Sequence, residues 1–120
     1  MTTETWKDVI GYEGKYQVSN LGRVRSVSRI ISNERGKTRV IGRVLKTTKL
    51  RKGYILVNLN GDNKVRKSIS LHRIIANAFI PNPSNLRDIN HKNFNRTDNR
   101  IENLEWLSHK DNVRHSRAKV

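Results

Sequence analysis

Histidine is the side chain whose ordinary pKa lies nearest neutrality, and this chain has four: His72, His91, His109 and His115. His91 and His115 fall in the C-terminal part of the chain beside Asn90, Asn103 and Asn112. A histidine at a strand end can hold a water and a hard cation together when the next strand and helix bring up oxygen-bearing side chains. The imidazole takes the proton while the cation neutralises charge on a phosphodiester. The same residue types also form turns and cover surfaces, so spacing alone leaves both readings open. His72 opens an apolar helix, where packing and a phosphate contact are both available to it. His109 sits beside Ser108 at a helix start, a surface position. A structural zinc site from His91, His109 and His115 would have to form without any cysteine.

The elements that must position these groups follow from the pattern. The 120 residues support one compact domain rather than two independent cores. Residues 6–28 read as short strands: Tyr16-Gln17-Val18 enters the turn Ser19-Asn20-Leu21-Gly22, and Arg23 to Ser28 alternates with Val24 on one face and Arg23 and Arg25 on the other. Arg29 to Arg39 shows no period and reads as a mobile basic loop. Val40–Leu45 and Tyr54–Leu59 are strand candidates. Asn60-Gly61-Asp62-Asn63 is a hairpin signal joining the latter to Lys64–Ile69.

The period changes at Ser70, a candidate cap. Leu71, Ile74, Ile75, Ala78 and Phe79 recur at helical spacing until Pro81-Asn82-Pro83 stops them. Ile89-Asn90-His91 reads as a strand end and Asn103 to Leu107 as a second strand. Ser108 with Asp111 resembles a capping box opening a last basic helix. Trp6, Tyr12, Tyr16 and Trp106 are assigned to packing, with Trp106 under the candidate site.

Composition narrows the partner. Lys plus Arg total 25 against 10 Asp plus Glu, a formal charge of +15. A small acidic substrate does not require such an excess; a polyanion does, because each cation set against a phosphate releases counterions. The absence of cysteine excludes a disulfide scaffold and thiol catalysis. No apolar run approaches the ~18 residues a membrane span needs, and MTTETWKDVI lacks the pattern of a secretion signal. A soluble nucleic-acid-binding protein is expected, with no membrane partner.

Residues 71–116 (LHRIIANAFIPNP…INHKNFNRTDNRIENLEWLSHKDNVRHS) resemble the HNH endonuclease family with its ββα-metal motif, and residues 6–28 (WKDVIGYEGKYQVSNLGRVRSVS) resemble the nuclease-associated modular motif found upstream of HNH domains in phage and intron-encoded homing endonucleases. The resemblance implies an α+β fold, a small antiparallel N-terminal sheet followed by a helix and a C-terminal ββα-metal module. It divides the chain into a DNA-binding module at 1–69 and a nuclease module at 70–120. It further implies His91 as general base, Asn103 ordering the loop and the base, and Asn112 binding one divalent ion, Mg²⁺ or Mn²⁺. Asn90 stands where many relatives carry a metal-binding Asp. A neutral amide is a poorer ligand for a hard cation, so the site is expected to lean on DNA phosphate for negative charge. His115 follows Asn112 on the same helical face and is open as a further ligand or a phosphate contact.

Arg23, Arg25, Lys46, Lys49, Arg51, Lys52, Arg66, Lys67, Arg73, Arg114 and Arg117 are expected to form a surface for double-stranded DNA. The expected activity is nicking by a monomer or weak dimer, in the cytoplasm of a bacterial host and phage-encoded. Two other classes compete: a non-cleaving DNA-binding protein with a degenerate module, and a basic RNA-binding protein. No helix-turn-helix segment follows the last helix, from which low sequence specificity or a need for a partner is expected.

Overall fold

The computed structural model describes residues 3–61 and 65–118 of the chain. Its first sheet joins β1 (Trp6–Asp8), β2 (Tyr16–Ser19) and β3 (Val24–Ser26) in antiparallel order. The pair Val18↔Val24 faces the core and both side chains are fully buried. The turn between them is held by Ser19, whose Oγ accepts the backbone N–H groups of Leu21 and Arg23 at 3.2 and 3.1 Å. Gly22 closes it at φ +93°, a left-handed conformation that side chains rarely adopt, and lies against the Asn99 backbone of the C-terminal half.

The expected basic loop is instead an antiparallel ribbon, β4 (Arg29–Asn33) with β5 (Gly36–Val40). Residues 30 to 39 are all exposed. A strand with neither face buried has no reason to alternate apolar with polar residues, so its sequence carries no period of two. The strand expected at Val40–Leu45 also differs. β5 ends at Val40, and the chain then returns to β3 through a single bridge, Arg25↔Val44, with Leu45 N donating to the Val24 carbonyl at 2.8 Å.

A second three-stranded sheet follows, β6 (Thr48–Lys49), β7 (Ile55–Asn60) and β8 (Arg66–Ser70). Val57 and Leu59 alternate into the core while Asn58 and Asn60 face water. Part of the expected Asn60–Asn63 turn, and Lys64, lie outside the described residues. Helix α1 (Leu71–Phe79) buries Leu71, Ile74, Ile75 and Ala76. Ser70 occupies its cap position but makes no side-chain cap hydrogen bond. Each fully buried Leu or Ile contributes about 1.5–3 kcal/mol. Because α1 packs on β2 and β7 as well as on β9 and β10, one apolar cluster runs from Val18 and Val24 through Ile75 to Ile89 and Leu104.

The chain ends in a hairpin and a helix: β9 (Asp88–His91), a single 3₁₀ turn (Ile101–Asn103), β10 (Leu104–Leu107) and α2 (His109–Arg117). Ser108 caps α2 by accepting the Asp111 N–H at 3.1 Å. The architecture is α+β, with small antiparallel sheets and a C-terminal ββα unit. Among the described residues no helix is long and apolar enough to cross a membrane.

Candidate active site

Strand β9 sets the site, because alternation along it sends Asp88 and Asn90 to one face and Ile89 and His91 to the other. The helix α2 and the loop between β9 and β10 close over the strand end. The result is an open pocket of about 280 Å³ lined by Tyr54, Asn90, His91, Phe94, Arg96 and Asn112, with Ile89 and Ser116 completing its wall. Among the described residues no carboxylate lines it.

The loop from Lys92 to Arg100 is polar, and its order comes from hydrogen bonds. Asn103 Oδ1 accepts the Asn93 N–H at 3.0 Å, while its Nδ2 donates to Asn93 Oδ1 and to the Asp98 carbonyl, each at 2.9 Å. Asp98 in turn accepts from Asn93 Nδ2 and from the Arg100 guanidinium at 2.9 and 2.8 Å. That guanidinium, chiefly, holds the Asp98 carboxyl down at about 2. Asn103 thus grips the loop.

The hydrogen bond to the His91 ring is made by Asn99. Its Oδ1 lies 2.8 Å from His91 Nε2, and its Nδ2 points to the Arg96 carbonyl at 3.4 Å. With the amide oxygen toward the ring, Nε2 carries the proton and Nδ1 is left with its lone pair. His91 is 6% exposed and Asn99 4%, so this tautomer is set by buried partners. Burial, first, lowers the His91 pKa; the Asn99 hydrogen bond opposes that, and the Arg96 charge adds to it. A neutral imidazole at ordinary pH is the state a base requires.

Behind His91 stand two further rings. His72 lies 5.2 Å from it and Tyr54 6.4 Å, centroid to centroid. Burial drives His72 down to about 4, so it faces His91 uncharged near neutrality. Tyr54 carries the Arg96 guanidinium at 4.5 Å over its ring, and Arg96 donates to the Lys52 carbonyl at 2.9 Å. Gly53 turns the chain beside Arg96 at φ +100°, a conformation that side chains rarely adopt. The segment 52–54, from before β7, therefore forms one wall of a pocket built otherwise on β9 and α2.

Across the pocket, Asn112 donates from Nδ2 to Asp88 Oδ2 at 3.1 Å. His109 Nδ1 approaches the same oxygen at 2.9 Å and, ahead of Asn112, holds the Asp88 carboxyl below its ordinary range. His115 stacks on Phe94 with centroids 4.4 Å apart and planes 16° from parallel. Phe94 has φ +65°, a conformation that costs a non-glycine residue of order 1 kcal/mol or more.

The donor set bears on a cation directly. Among the described residues, Asn90 Nδ2 and His115 Nε2 are buried without a hydrogen-bond partner, and no cluster of three or more His, Cys, Asp and Glu occurs. Turning the Asn90 amide over exchanges an orphaned nitrogen for an oxygen, which a hard cation satisfies. Amide oxygens from Asn90 and Asn112 fit such an ion, but they carry no net charge to offset it.

Of the residues singled out from sequence, Asn90, His91 and Asn112 share the pocket, His115 adjoins it through Phe94, and Asn103 lies behind the loop. The cations are dispersed. Arg23 is paired with Glu4 and Arg25 with Gln17, and both guanidinium groups lie over Trp6, Arg25 at 4.0 Å. Trp6 is half-buried beneath them. Lys46, Lys49, Arg51, Lys52, Arg66 and Lys67 are exposed, Arg73 lines a separate crevice with Ile10 and Ile74, and Arg114 sits 3.9 Å from Asp111. Asn99, Arg96, Tyr54 and Phe94 were not singled out, and no local spacing marks them. Their roles arise from chain segments meeting in space.

Residues 70–114 match the HNH endonuclease family and residues 4–60 the NUMOD4 motif. An uncharacterised HNH endonuclease of Acanthamoeba polyphaga mimivirus is 33% identical over 111 residues, 92% of this chain and 29% of that protein. The DNA endonuclease I-HmuI of Bacillus phage SP01 is 34% identical over 108 residues, 90% of this chain and 55% of its own length. A solved structure of I-HmuI, described as an HNH homing endonuclease in DNA binding and cleavage, superposes with a TM-score of 0.74 at 34% identity, covering 97% of this chain and 60% of that one. The chain thus spans less than two thirds of each of these relatives.

Proposed function

The chain belongs to the HNH endonuclease family, carrying a NUMOD4 motif ahead of its nuclease module, and on that premise we propose that it hydrolyses DNA phosphodiester bonds with a divalent ion, one strand at a time. The observation that carries this reading is the buried contact between the His91 ring and the Asn99 amide oxygen, from which the tautomer is assigned. His91 Nε2 is tethered to Asn99 at 2.8 Å, which leaves Nδ1 as a free base in the pocket that also holds Asn90 and Asn112. His91 removes a proton from the attacking water, which adds to phosphorus in line with the departing 3′ oxygen. Mg²⁺ or Mn²⁺, held by Asn90, Asn112 and phosphate oxygens and with His115 adjoining, would neutralise the phosphodiester and the charge developing on the leaving oxygen. Asn103 keeps the loop, and with it Asn99, in register behind the base. Arg96, stacked on Tyr54, offers a guanidinium to a phosphate oxygen.

Residues 1–69 serve DNA binding and 70–120 the cutting. Arg25, Lys46, Lys49, Arg51, Lys52, Arg66, Lys67, Arg73 and Arg114 contribute phosphate contacts, and Arg23 does so at the expense of its Glu4 partner. The exposed β4–β5 ribbon adds Arg35, Lys37 and Arg39. A two-stranded ribbon is an element that a major groove about 12 Å wide admits. A monomer with one such pocket cuts one strand per encounter.

Plasmid nicking in Mg²⁺ or Mn²⁺, run for the parent and His91→Ala together, tests the reading. The parent is expected to convert supercoiled to open-circular DNA and the variant to lose about 10²–10⁴-fold of that rate. Nicking retained in the variant removes His91 as the base. A parent that binds duplex without nicking favours the competing reading, a DNA-binding protein whose pocket has lost its carboxylate.

A further inference from the structure

Asp88 takes no part in the steps above, yet its carboxylate joins two elements of the site. It opens β9 two residues before Asn90 and so projects from the same strand face. Its side chain is 15% exposed. Oδ2 accepts from Asn112 Nδ2 at 3.1 Å and meets His109 Nδ1 at 2.9 Å, while Arg87 Nε lies 3.5 Å from Oδ1. A carboxylate is an acceptor only. Asn112 therefore has to present its nitrogen to Asp88, and the amide oxygen is turned to the opposite side.

Resting on the pocket reading above, we infer that Asp88 is a positioning residue that fixes the Asn112 amide with its oxygen available to a hard cation. The last torsion of an asparagine is broad and nearly two-fold, so an amide with no directional partner takes either orientation. Half of those orientations offer a cation an NH₂ group, which is no ligand. Asp88 removes that ambiguity without lining the pocket. The negative charge missing from the cation's immediate shell is thus placed one bond further out, where it orients a neutral ligand and polarises it. His109 gives the carboxylate a second donor, so that its oxygen stays aimed at α2.

A Mn²⁺ titration of the DNA-free protein, followed by paramagnetic broadening of the Asn90, His91 and Asn112 signals, tests this independently of cutting. Asp88→Asn keeps the shape and offers Asn112 both a donor and an acceptor. The expected result is about tenfold weaker Mn²⁺ binding, an unchanged melting temperature, and no further loss when Asp88→Asn is added to Asn112→Ala. An equal loss in both backgrounds would mean that Asp88 acts only as a distant charge, and overturns the inference. So does unaltered binding in Asp88→Asn beside a clear loss in Asn112→Ala, which leaves the pocket reading standing. Unaltered binding in Asn112→Ala overturns the pocket reading and the inference together. A measurement on the parent needs no variant: one Asn112 side-chain amide proton should be shifted downfield and protected from exchange by Asp88. Equal exchange of the two protons contradicts a fixed amide.

Discussion

The β9–β10 loop and the β4–β5 ribbon are both polar, basic connections of similar length, and they are ordered by opposite means. In the loop, asparagine side chains do the holding: Asn99 and Asn103 are nearly fully buried, and their amides are spent on His91, Asn93 and the Asp98 carbonyl. In the ribbon, residues 30 to 39 are exposed, and order comes from the backbone ladder with Asn33 Oδ1 accepting the Arg35 N–H at 2.9 Å. A buried polar network fixes one geometry because every broken bond leaves a desolvated group. An exposed ribbon can bend and re-aim its cations at little cost. The first arrangement suits a base that must meet one atom; the second suits a polymer of evenly spaced charges.

The comparison breaks most visibly at Asn99. Asn99→Ala leaves His91 Nε2 buried and unpaired and frees the ring to adopt the other tautomer. The nicking rate should fall by about 100-fold, and stability by about 1–3 kcal/mol. Parental rates in this variant, measured at saturating DNA, would show that the tautomer is set elsewhere. Asn99→Asp is a sharper variant, since it keeps the acceptor.

The ribbon should answer differently. Replacing Arg35, Lys37 and Arg39 together by Ala should leave the folding stability within about 0.5 kcal/mol of the parent and the rate at saturating DNA unchanged. Duplex affinity should drop, and the slope of log affinity against log salt should become shallower by about 2–3. An unchanged slope would mean that the ribbon does not face DNA.

The smallest effect separates the two regions by pH. His72 in the folded chain is held at about 4, against an ordinary 6.5, mainly by burial. Between those values the unfolded chain binds a proton that the folded chain refuses. Stability therefore falls as pH drops from 6.5 toward 4 and is fully recovered above 6.5. His72→Gln should flatten that slope by about 1–2 kcal/mol in urea unfolding at pH 4.5 relative to pH 7. The ribbon carries no histidine, so the triple variant should keep the parental slope.

The outline of the fold was legible wherever one face of an element is buried. The spacing Leu71, Ile74, Ile75 announces α1, and alternation around Val24 announces β3, because the core imposes a period on the sequence that packs against it. Arg29–Arg39 reads as a loop for the converse reason: residues 30 to 39 are exposed and no core imposes a period on them. Val40–Leu45 contains enough apolar residues for a strand, yet Leu45 packs against the core while Ile41 is 75% and Val44 48% exposed, and one bridge ties the segment to β3.

For the candidate site the division is similar. The words INH, ENLEW and DNVRH, read against the family they resemble, singled out His91, Asn103 and Asn112 from the chain alone, together with the strand–loop–strand–helix order that carries them. Which nitrogen of His91 is free, which end of Asn112 faces the pocket, and that residues 52–54 wall a pocket some forty positions downstream were decided only on folding. Residue type limits what a side chain can donate or accept; its direction is set by partners distant in sequence, and those are brought within three ångströms only when the apolar cluster around α1 closes.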